Sequence, residues 1–165
     1  MDEQARASKT VQNQTITIRK IEQADLDHVI AIDERVTGIS KPDYWKDIYE
    51  RFVTRRVEER FFLIAEATDE VSEFPVLGYV VGEVRAWEYG SEPSGWVFAF
   101  SVEPDTRLQG IGEQLFEAIS VEFRRAGIKK MRTMVARENQ LHMAFFRSEG
   151  MTGGPYLQLE KSLDD

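Results

Sequence analysis

The sequence contains no cysteine, so disulfide frameworks, thiolate nucleophiles and cysteine-ligated zinc sites are all excluded. No stretch approaches the roughly 18 apolar residues of a membrane span, and the polar residues 1–14 lack the apolar segment of a signal peptide. Positive charge is in deficit, because 21 Lys and Arg stand against 29 Asp and Glu, and the net charge is −8 at pH 7. This balance argues against binding nucleic acid through a general phosphate field. We therefore expect a cytoplasmic protein with no nucleic-acid and no membrane partner.

With 42% hydrophobic and 11% aromatic residues, the 165-residue chain can bury the core of one domain. Residues 1–14 show no periodicity and predict a flexible N-terminal tail, and residues 15–165 are expected to form a single domain. Apolar residues recur at helical spacing after Leu26, after Pro42, from Ile111 to Phe123 and over 140–148. Alternating or β-branched stretches predict strands over 15–21, 61–67, 76–86, 96–102, 130–136 and 156–163. This order of elements predicts an α/β fold with a mixed sheet.

One segment carries a chemical signature. The strand ending at Val102 is followed by Arg107-x-x-Gly110-x-Gly112 and then by a helix. A glycine-containing turn that feeds a helix N-terminus presents backbone N–H groups to a phosphate or pyrophosphate. A dinucleotide-binding fingerprint and a P-loop are both excluded, because Leu115 stands where the third glycine is needed and Gly-Lys-Ser/Thr is absent. The alternative is a tight turn whose glycines only serve packing.

The pattern Val102-x-Pro104-x-x-Arg107-x-x-Gly110-x-Gly112, followed by an amphipathic helix, resembles the acyl-CoA-binding motif of the GNAT N-acyltransferase superfamily. A second motif of that family resembles Asn139, the helix after it and Gly150-Met151. The resemblance covers all but the N-terminal tail. It implies a mixed, mostly antiparallel central sheet flanked by helices, with a central strand pair that splays apart to admit CoA.

The resemblance also implies the residues that bind acetyl-CoA, the co-substrate. Main-chain groups around Ser101 would pair with the pantetheine arm, Arg107 and the amides of 108–113 would hold the pyrophosphate, and Asn139 would steady the pantetheine. Ser101 can also be an ordinary sheet residue, and Asn139 a helix N-cap. No metal is implied. The residues expected to bind the cofactor are Phe100, Ser101, Val102, Arg107, Leu108, Gln109, Gly110, Ile111, Gly112, Glu113 and Asn139.

The acid and base that the family commonly uses have no counterpart in this sequence. Phe146 stands at the usual tyrosine position, and the apolar Phe98 and Ala99 stand where a glutamate is common. Two substitutes are conceivable. Glu83 would lie near Phe98 if 84–95 closed a simple hairpin, although a solvent-facing Glu83 or a pair with Arg85 is the simpler expectation. Tyr156, at the start of the last predicted strand, is the second candidate for the acid.

The implied reaction is direct attack of a primary amine on the thioester, and the amine belongs to a small molecule, a peptide or a protein N-terminus. The acceptor is expected to lie against 34–45 and 87–96, where Glu34, Trp87 and Tyr89 are candidate contacts. The absent base favours an amine of low pKa. A non-catalytic CoA sensor and a plain interaction domain stay open as alternatives. A homodimer is also possible.

Overall fold

A computed structural model of the protein describes residues 16–55, 59–68, 73–106 and 110–164. Over these residues the predicted helices are confirmed, as are five of the predicted strands. The strands are β1 (Ile16–Lys20), β2 (Arg60–Ala67), β3 (Val76–Arg85), β4 (Ser94–Val102) and β5 (Met131–Thr133), and the helices are α1 (Leu26–Thr37), α2 (Pro42–Tyr49), α3 (Ile111–Arg125) and α4 (Gln140–Ser148). Short helical turns lie at Gln23–Asp25, Glu50–Thr54, Glu88–Gly90 and Pro104–Thr106.

The strands form one sheet in the order β1-β2-β3-β4-β5. The first three pairings are antiparallel, and β4 pairs with β5 in parallel. This is the mixed, mostly antiparallel sheet that the family resemblance implies. The connection from β4 to β5 contains α3, as a parallel crossover requires.

Both faces of the sheet are buried. Side chains of α1 and α2, among them Val29, Ile32 and Trp45, pack with Tyr79 and Val81 on one face. Leu115, Ile119 and Phe123 of α3 cover the other face. The ring of Phe123 needs glycine on β4, because a Cβ on Gly95 would come within 2.6–2.7 Å of its atoms. Proximity to the helix therefore fixes the residue type at this point of the sheet.

The chain divides into two compact units at Thr133/Met134. The first contains the sheet and α1, α2 and α3. The second contains α4, which begins after its N-cap Asn139, and then the segment 149–164, which adopts no regular secondary structure. The single domain expected over 15–165 stays a prediction.

The strand predicted over 156–163 is wrong for the described chain. The alternation that suggested it is real, but Leu157, Leu159 and Leu163 are exposed, and the described residues supply no strand that pairs with this segment. A strand needs a hydrogen-bonding neighbour as well as a pattern. The strand predicted over 130–136 is also shorter, since β5 ends at Thr133.

Candidate functional site

The last pairing of the sheet ends early. β4 and β5 are paired only at Gly95, Trp96 and Val97, opposite residues 131–133. The Thr133 hydroxyl donates to the Val97 carbonyl at 2.8 Å and forms the final contact of the pair. β4 continues to Val102, still paired with β3 on its other side. Along 98–102, no strand of the described residues pairs with the other edge of β4, and an extended ligand pairs with a strand edge through main-chain N–H and C=O groups.

A β-bulge marks the point where β4 leaves β5. Val97 pairs with Gly82 and Ala99 pairs with Val81, so Phe98 is an extra residue on β4. Phe98 and Ala99 consequently both pack on the face covered by α1 and α2. The ring of Phe98 meets Phe52 edge-on at 5.4 Å between centroids. Positions 98 and 99, where the family commonly has a glutamate, therefore hold side chains that pack in the apolar core.

The turn after β4 leads into the N-terminus of α3. Gly110 is the N-cap of the helix, with a φ of 73° that favours glycine, and its carbonyl accepts the first helical hydrogen bond from Gln114. The amides of 111–113 precede that bond and have no helical acceptor. Of these residues, Ile111 is buried, Gly112 is half-buried and Glu113 is exposed. The predicted contacts Arg107, Leu108 and Gln109 lie outside the described residues.

Ser101 is buried on β4 directly opposite Tyr79 of β3. Burial raises the pKa of Tyr79, and the nearby Asp33 carboxylate adds to the rise, whereas Ser101 opposes it. Trp45 packs edge-on against the Tyr79 ring at 5.0 Å and donates its indole N–H to Asp33 Oδ2 at 2.9 Å. Ser101 therefore lies opposite a buried cluster of Tyr79, Trp45 and Asp33 that reaches α1. Sequence reasoning missed Tyr79 and Asp33, because strand pairing and burial create the cluster.

Glu103, the residue after β4, is fully buried and anchors the start of the loop. Its carboxylate accepts from the Arg35 guanidinium at both oxygens, with Nε at 3.1 and 3.0 Å and a further bond from Nη2. Its amide donates to the Leu77 carbonyl at 2.7 Å, and its carbonyl accepts from the Thr106 hydroxyl at 3.0 Å. This pair joins α1 to the turn that precedes Gly110. No sequence signal distinguished Glu103 from other acidic residues.

The role of Glu83 as a base stays a prediction. Glu83 lies directly opposite Trp96, two positions before Phe98 on β4, and the register is continuous from the loop through this pair. Its carboxylate accepts from Arg85 Nε at 3.3 Å and lies 3.7 Å from Arg60 Nε. The simpler expectation, a pair with Arg85, is confirmed.

The second unit contains Asn139, Phe146 and Tyr156. Asn139 caps α4 by accepting at Oδ1 from the amide of His142 at 3.1 Å, as the N-cap alternative expected. Phe146 is buried and meets the ring of Phe145 at 5.3 Å. Tyr156 is half-exposed in the segment without regular structure. The cofactor role of Asn139 and the acid role of Tyr156 stay predictions.

The three acceptor candidates are exposed on the first unit. Glu34 lies on α1, and its carbonyl accepts from the Gly38 amide that ends the helix. Trp87 and Tyr89 occupy the loop between β3 and β4 and are 68% and 91% exposed. Both adopt positive φ, 60° and 50°, which bulky residues rarely do. Such strain is typical of segments that contact a ligand.

Two further observations concern metal ligands and membrane-spanning helices. Among the described residues, no group of three or more His, Asp or Glu side chains is placed to ligate a metal ion. Over the same part of the chain, every helix is too short or too polar to cross a membrane.

Comparison with known proteins adds a family and a set of similar folds. Residues 26–151 match the acetyltransferase (GNAT) family. An aminoglycoside N-acetyltransferase, AAC(6')-Iy, solved in complex with CoA, superposes with a TM-score of 0.75 at 17% identity, over 92% of this chain and 97% of that one. The aminoglycoside 6'-N-acetyltransferase AAC(6')-Ih from Acinetobacter baumannii gives 0.73 at 15% identity, over 91% and 100%. Glucosamine-6-phosphate N-acetyltransferase from Arabidopsis thaliana gives 0.70 at 18%, over 92% and 100%. Among curated protein sequences, none matches significantly.

Proposed function

Because the chain belongs to the acetyltransferase (GNAT) family, we propose that it transfers an acetyl group from acetyl-CoA to a primary amine. One observation carries the proposal: the edge of β4 that opens after Val97 leads through a short turn into the glycine-containing N-terminus of α3. Acetyl-CoA has an extended pantetheine arm with two amides, joined to a pyrophosphate. The arm matches the open edge of β4, and the pyrophosphate matches the N-terminus of α3.

The residues of the first unit fit acetyl-CoA. Main-chain groups of Phe100, Ser101 and Val102 on the edge of β4 would pair with the two amides of the pantetheine arm, as an added strand does. The amides at Gly112 and its neighbours in the first turn of α3 would hold the pyrophosphate, helped by the positive end of the helix dipole. Arg107 would add a charge-assisted contact.

The proposed reaction is a direct transfer. The amine nitrogen attacks the thioester carbonyl carbon, the C–N bond forms, the C–S bond breaks and the thiolate leaves with the electron pair. The amine loses one proton, and the thiolate takes up one. A base is unnecessary where the amine arrives neutral, and at pH 7 an amine of pKa 7.8 is about 15% neutral against less than about 0.1% for a lysine. The apolar Phe98 and Ala99 therefore favour an acceptor of low pKa.

The acceptor class is proposed to be an amino sugar or another small molecule whose amine has a low pKa. The folds described above belong to proteins named for acetylating aminoglycosides and glucosamine 6-phosphate. The net charge of −8 favours a cationic acceptor over an anionic one. Trp87 and Tyr89, exposed and strained in the loop between β3 and β4, are the proposed aromatic contacts. Glu34 is the proposed carboxylate.

The decisive experiment is calorimetric titration with acetyl-CoA, comparing the wild type with Gly112→Trp. We expect binding by the wild type and loss of binding in the variant, because the indole would fill the space beside the first-turn amides. Gly154→Trp is the matched control, since a Cβ there meets nothing within 4 Å. Absence of binding by folded wild-type protein would overturn the proposal.

Turnover is then measured by release of the CoA thiol. The chain contains no cysteine, so a thiol reagent reads CoA with no background from the protein. A panel of amino sugars, polyamines and peptide N-termini at several pH values identifies the acceptor class.

A second candidate function is a CoA-binding sensor without catalysis. The packing of Phe98 on Phe52 and the burial of Phe146 favour it, because neither position offers an acid or a base. Binding of acetyl-CoA with no thiol release across the whole panel would select the sensor.

A further inference from the structure

Two irregular stretches of backbone meet beside the point where β4 leaves β5. On β4, the bulge brings both Phe98 and Ala99 to the face covered by α1 and α2. After α2, the chain widens into one π-helical turn over 50–54, and the Arg55 amide donates to the Glu50 carbonyl at 3.0 Å. β-Bulges and π-helical turns are both frequent next to functional sites.

The contact between the two stretches is made by the rings of Phe52 and Phe98. Their centroids are 5.4 Å apart, and their planes are inclined at 61°. The Arg60 guanidinium lies 5.3 Å from the centroid of the Phe52 ring, and its Nη1 donates to the Arg51 carbonyl in the π-helical turn at 3.1 Å. Phe52 is buried. Its ring is therefore held by its neighbours and forms a wall next to Phe98.

The opposite face of the sheet has no space at this point. Val97, the last residue of β4 that pairs with β5, is buried in the apolar cluster under α3. A Cβ on Gly82, the partner of Val97 on β3, would come within 2.8 Å of Ile119 Cδ1 and 2.9 Å of Phe123 Cζ. A ligand group that ends beside Val97 can therefore leave the plane of the sheet only toward α1 and α2.

The orientation proposed for acetyl-CoA brings its acyl group to this point. The pyrophosphate is proposed at the N-terminus of α3, which follows the end of β4, so the pantetheine arm runs from Val102 back toward Phe98. The sulfur and the acyl group are at the far end of the arm and lie beside the bulge. The thioester carbonyl must also be open to the amine, and the proposed carboxylate contact of the amine, Glu34, lies on α1.

On the basis of this acetyl-CoA site, we propose that Phe52 and Phe98 determine the length of the acyl group and restrict it to acetyl. Ala99, the small residue beside Phe98, leaves the space that the methyl of an acetyl group takes. A propionyl or butyryl chain would need the volume of the Phe52 ring, which its packing fixes. One additional methylene in an apolar pocket changes specificity by about 10–200-fold.

The test is calorimetric titration of the full chain with CoA, acetyl-CoA and butyryl-CoA. CoA has no acyl group, so its affinity reports the rest of the site alone. We expect the wild type to bind butyryl-CoA at least about tenfold more weakly than acetyl-CoA. In Phe52→Ala the two affinities should come within about threefold of each other, with the affinity for CoA retained, because only the acyl end of the site is enlarged. Phe52→Leu, which keeps an apolar side chain in the core, should give an intermediate ratio.

Phe61→Leu is the matched control. Phe61 pairs with Gly82 and meets Phe123 edge-on at 5.5 Å, on the face under α3, so its substitution should leave the ratio of the wild type. Equal affinities of the wild type for acetyl-CoA and butyryl-CoA would overturn the proposal, as would a ratio that neither Phe52 substitution changes. If folded wild-type protein binds none of the three ligands, the proposed function is overturned together with it.

Discussion

Arg35 of α1 and Glu103, which follows β4, form an ion pair whose carboxylate is fully buried and whose guanidinium is partly exposed. A buried charge is tolerated only when hydrogen bonds replace its water, and here both carboxylate oxygens are bonded. The pair fixes the end of β4 to a helix on the proposed acceptor side. Its geometry thus connects the two halves of the proposed site.

Arg35→Met is expected to lower the free energy of unfolding by about 3 kcal/mol, because it strands the Glu103 carboxylate in the interior. The combined Arg35→Met/Glu103→Gln variant should recover part of that loss, since no buried charge is then left unpaired. Urea unfolding measures both. Arg124→Met, which breaks the exposed pair with Glu117, should cost less than about 0.5 kcal/mol. Equal effects of the two arginine substitutions would contradict the expectation.

The ion pairs of Arg19 with Asp25 and Glu66 should make the free energy of unfolding depend on pH in the acid range. Burial alone would raise the pKa of Asp25, but hydrogen bonds from Arg19 and the Glu22 amide hold it below its ordinary value, and the bond from Arg19 also lowers the pKa of Glu66. A carboxyl whose folded pKa is depressed stabilises the fold above its unfolded pKa, about 4, and loses that contribution as pH falls through the folded value. Arg19→Met should therefore cost about 2 kcal/mol at pH 7.

That difference between wild type and Arg19→Met should shrink as pH falls below about 4. Denaturant unfolding across the acid range checks the trend. Arg55→Met, which breaks an exposed pair with Glu50, should show little change at any pH. If the stability difference between wild type and Arg19→Met grows as the pH falls, the Arg19 ion pairs do not hold these carboxyl pKa values down.

Gly95→Ala should destabilise the fold by about 1–3 kcal/mol, because the new methyl would press on the ring of Phe123 and overpack the face under α3. Thermal unfolding measures the effect. Gly154→Ala is the control, with open space around it. If Gly95→Ala and Gly154→Ala unfold at the same temperature, the Phe123 ring has space for the added methyl group, which contradicts the expectation.

The pH dependence of acetyl transfer should follow the acceptor amine. With no ionisable side chain at 98, 99 or 146, kcat/KM should rise with pH in proportion to the neutral fraction of each amine. The profile should therefore shift when the amine is changed for one of different pKa. A profile with one fixed midpoint across several amines would instead reveal an enzymic base.

Glu83→Gln should leave kcat within about twofold of the wild type, because Glu83 pairs with Arg85 and lies opposite Trp96. Tyr156→Phe removes only the phenol hydroxyl and therefore tests Tyr156, the other candidate, as the acid. If Tyr156 is the acid that protonates the leaving thiolate, kcat should fall by about 10²-fold or more with KM for acetyl-CoA unchanged. The thiol-release assay reads both. If both variants lower kcat by the same small factor, neither Glu83 nor Tyr156 is the catalytic acid.

Much of the fold follows from the sequence pattern. The helix predicted over 140–148 matches α4 at both ends, and the cap residues and the apolar row from Ile111 to Phe123 predict α3. These elements are defined by contacts within one segment of chain. Local spacing therefore suffices to find them.

The errors concern relations between segments. The bulge at Phe98 could not be predicted, because a bulge is a property of two strands together. The strand predicted over 156–163 has its pattern but no described neighbour. The placement of Ser101 beside Tyr79, likewise, requires knowing that positions 79 and 101 are opposite each other.

The extra residue at Phe98 also determines how this chain can be aligned with its relatives. If β4 continued without the bulge, strict alternation from Val97 would turn Ala99 and Ser101 toward α3 and would turn Phe100 and Val102 toward α1 and α2. At 15–18% identity, an alignment that omits the bulge shifts the whole proposed pantetheine segment by one position without disturbing the surrounding matches. Residue-by-residue transfer of function onto β4 therefore requires an alignment in which Phe98 is treated as an extra residue.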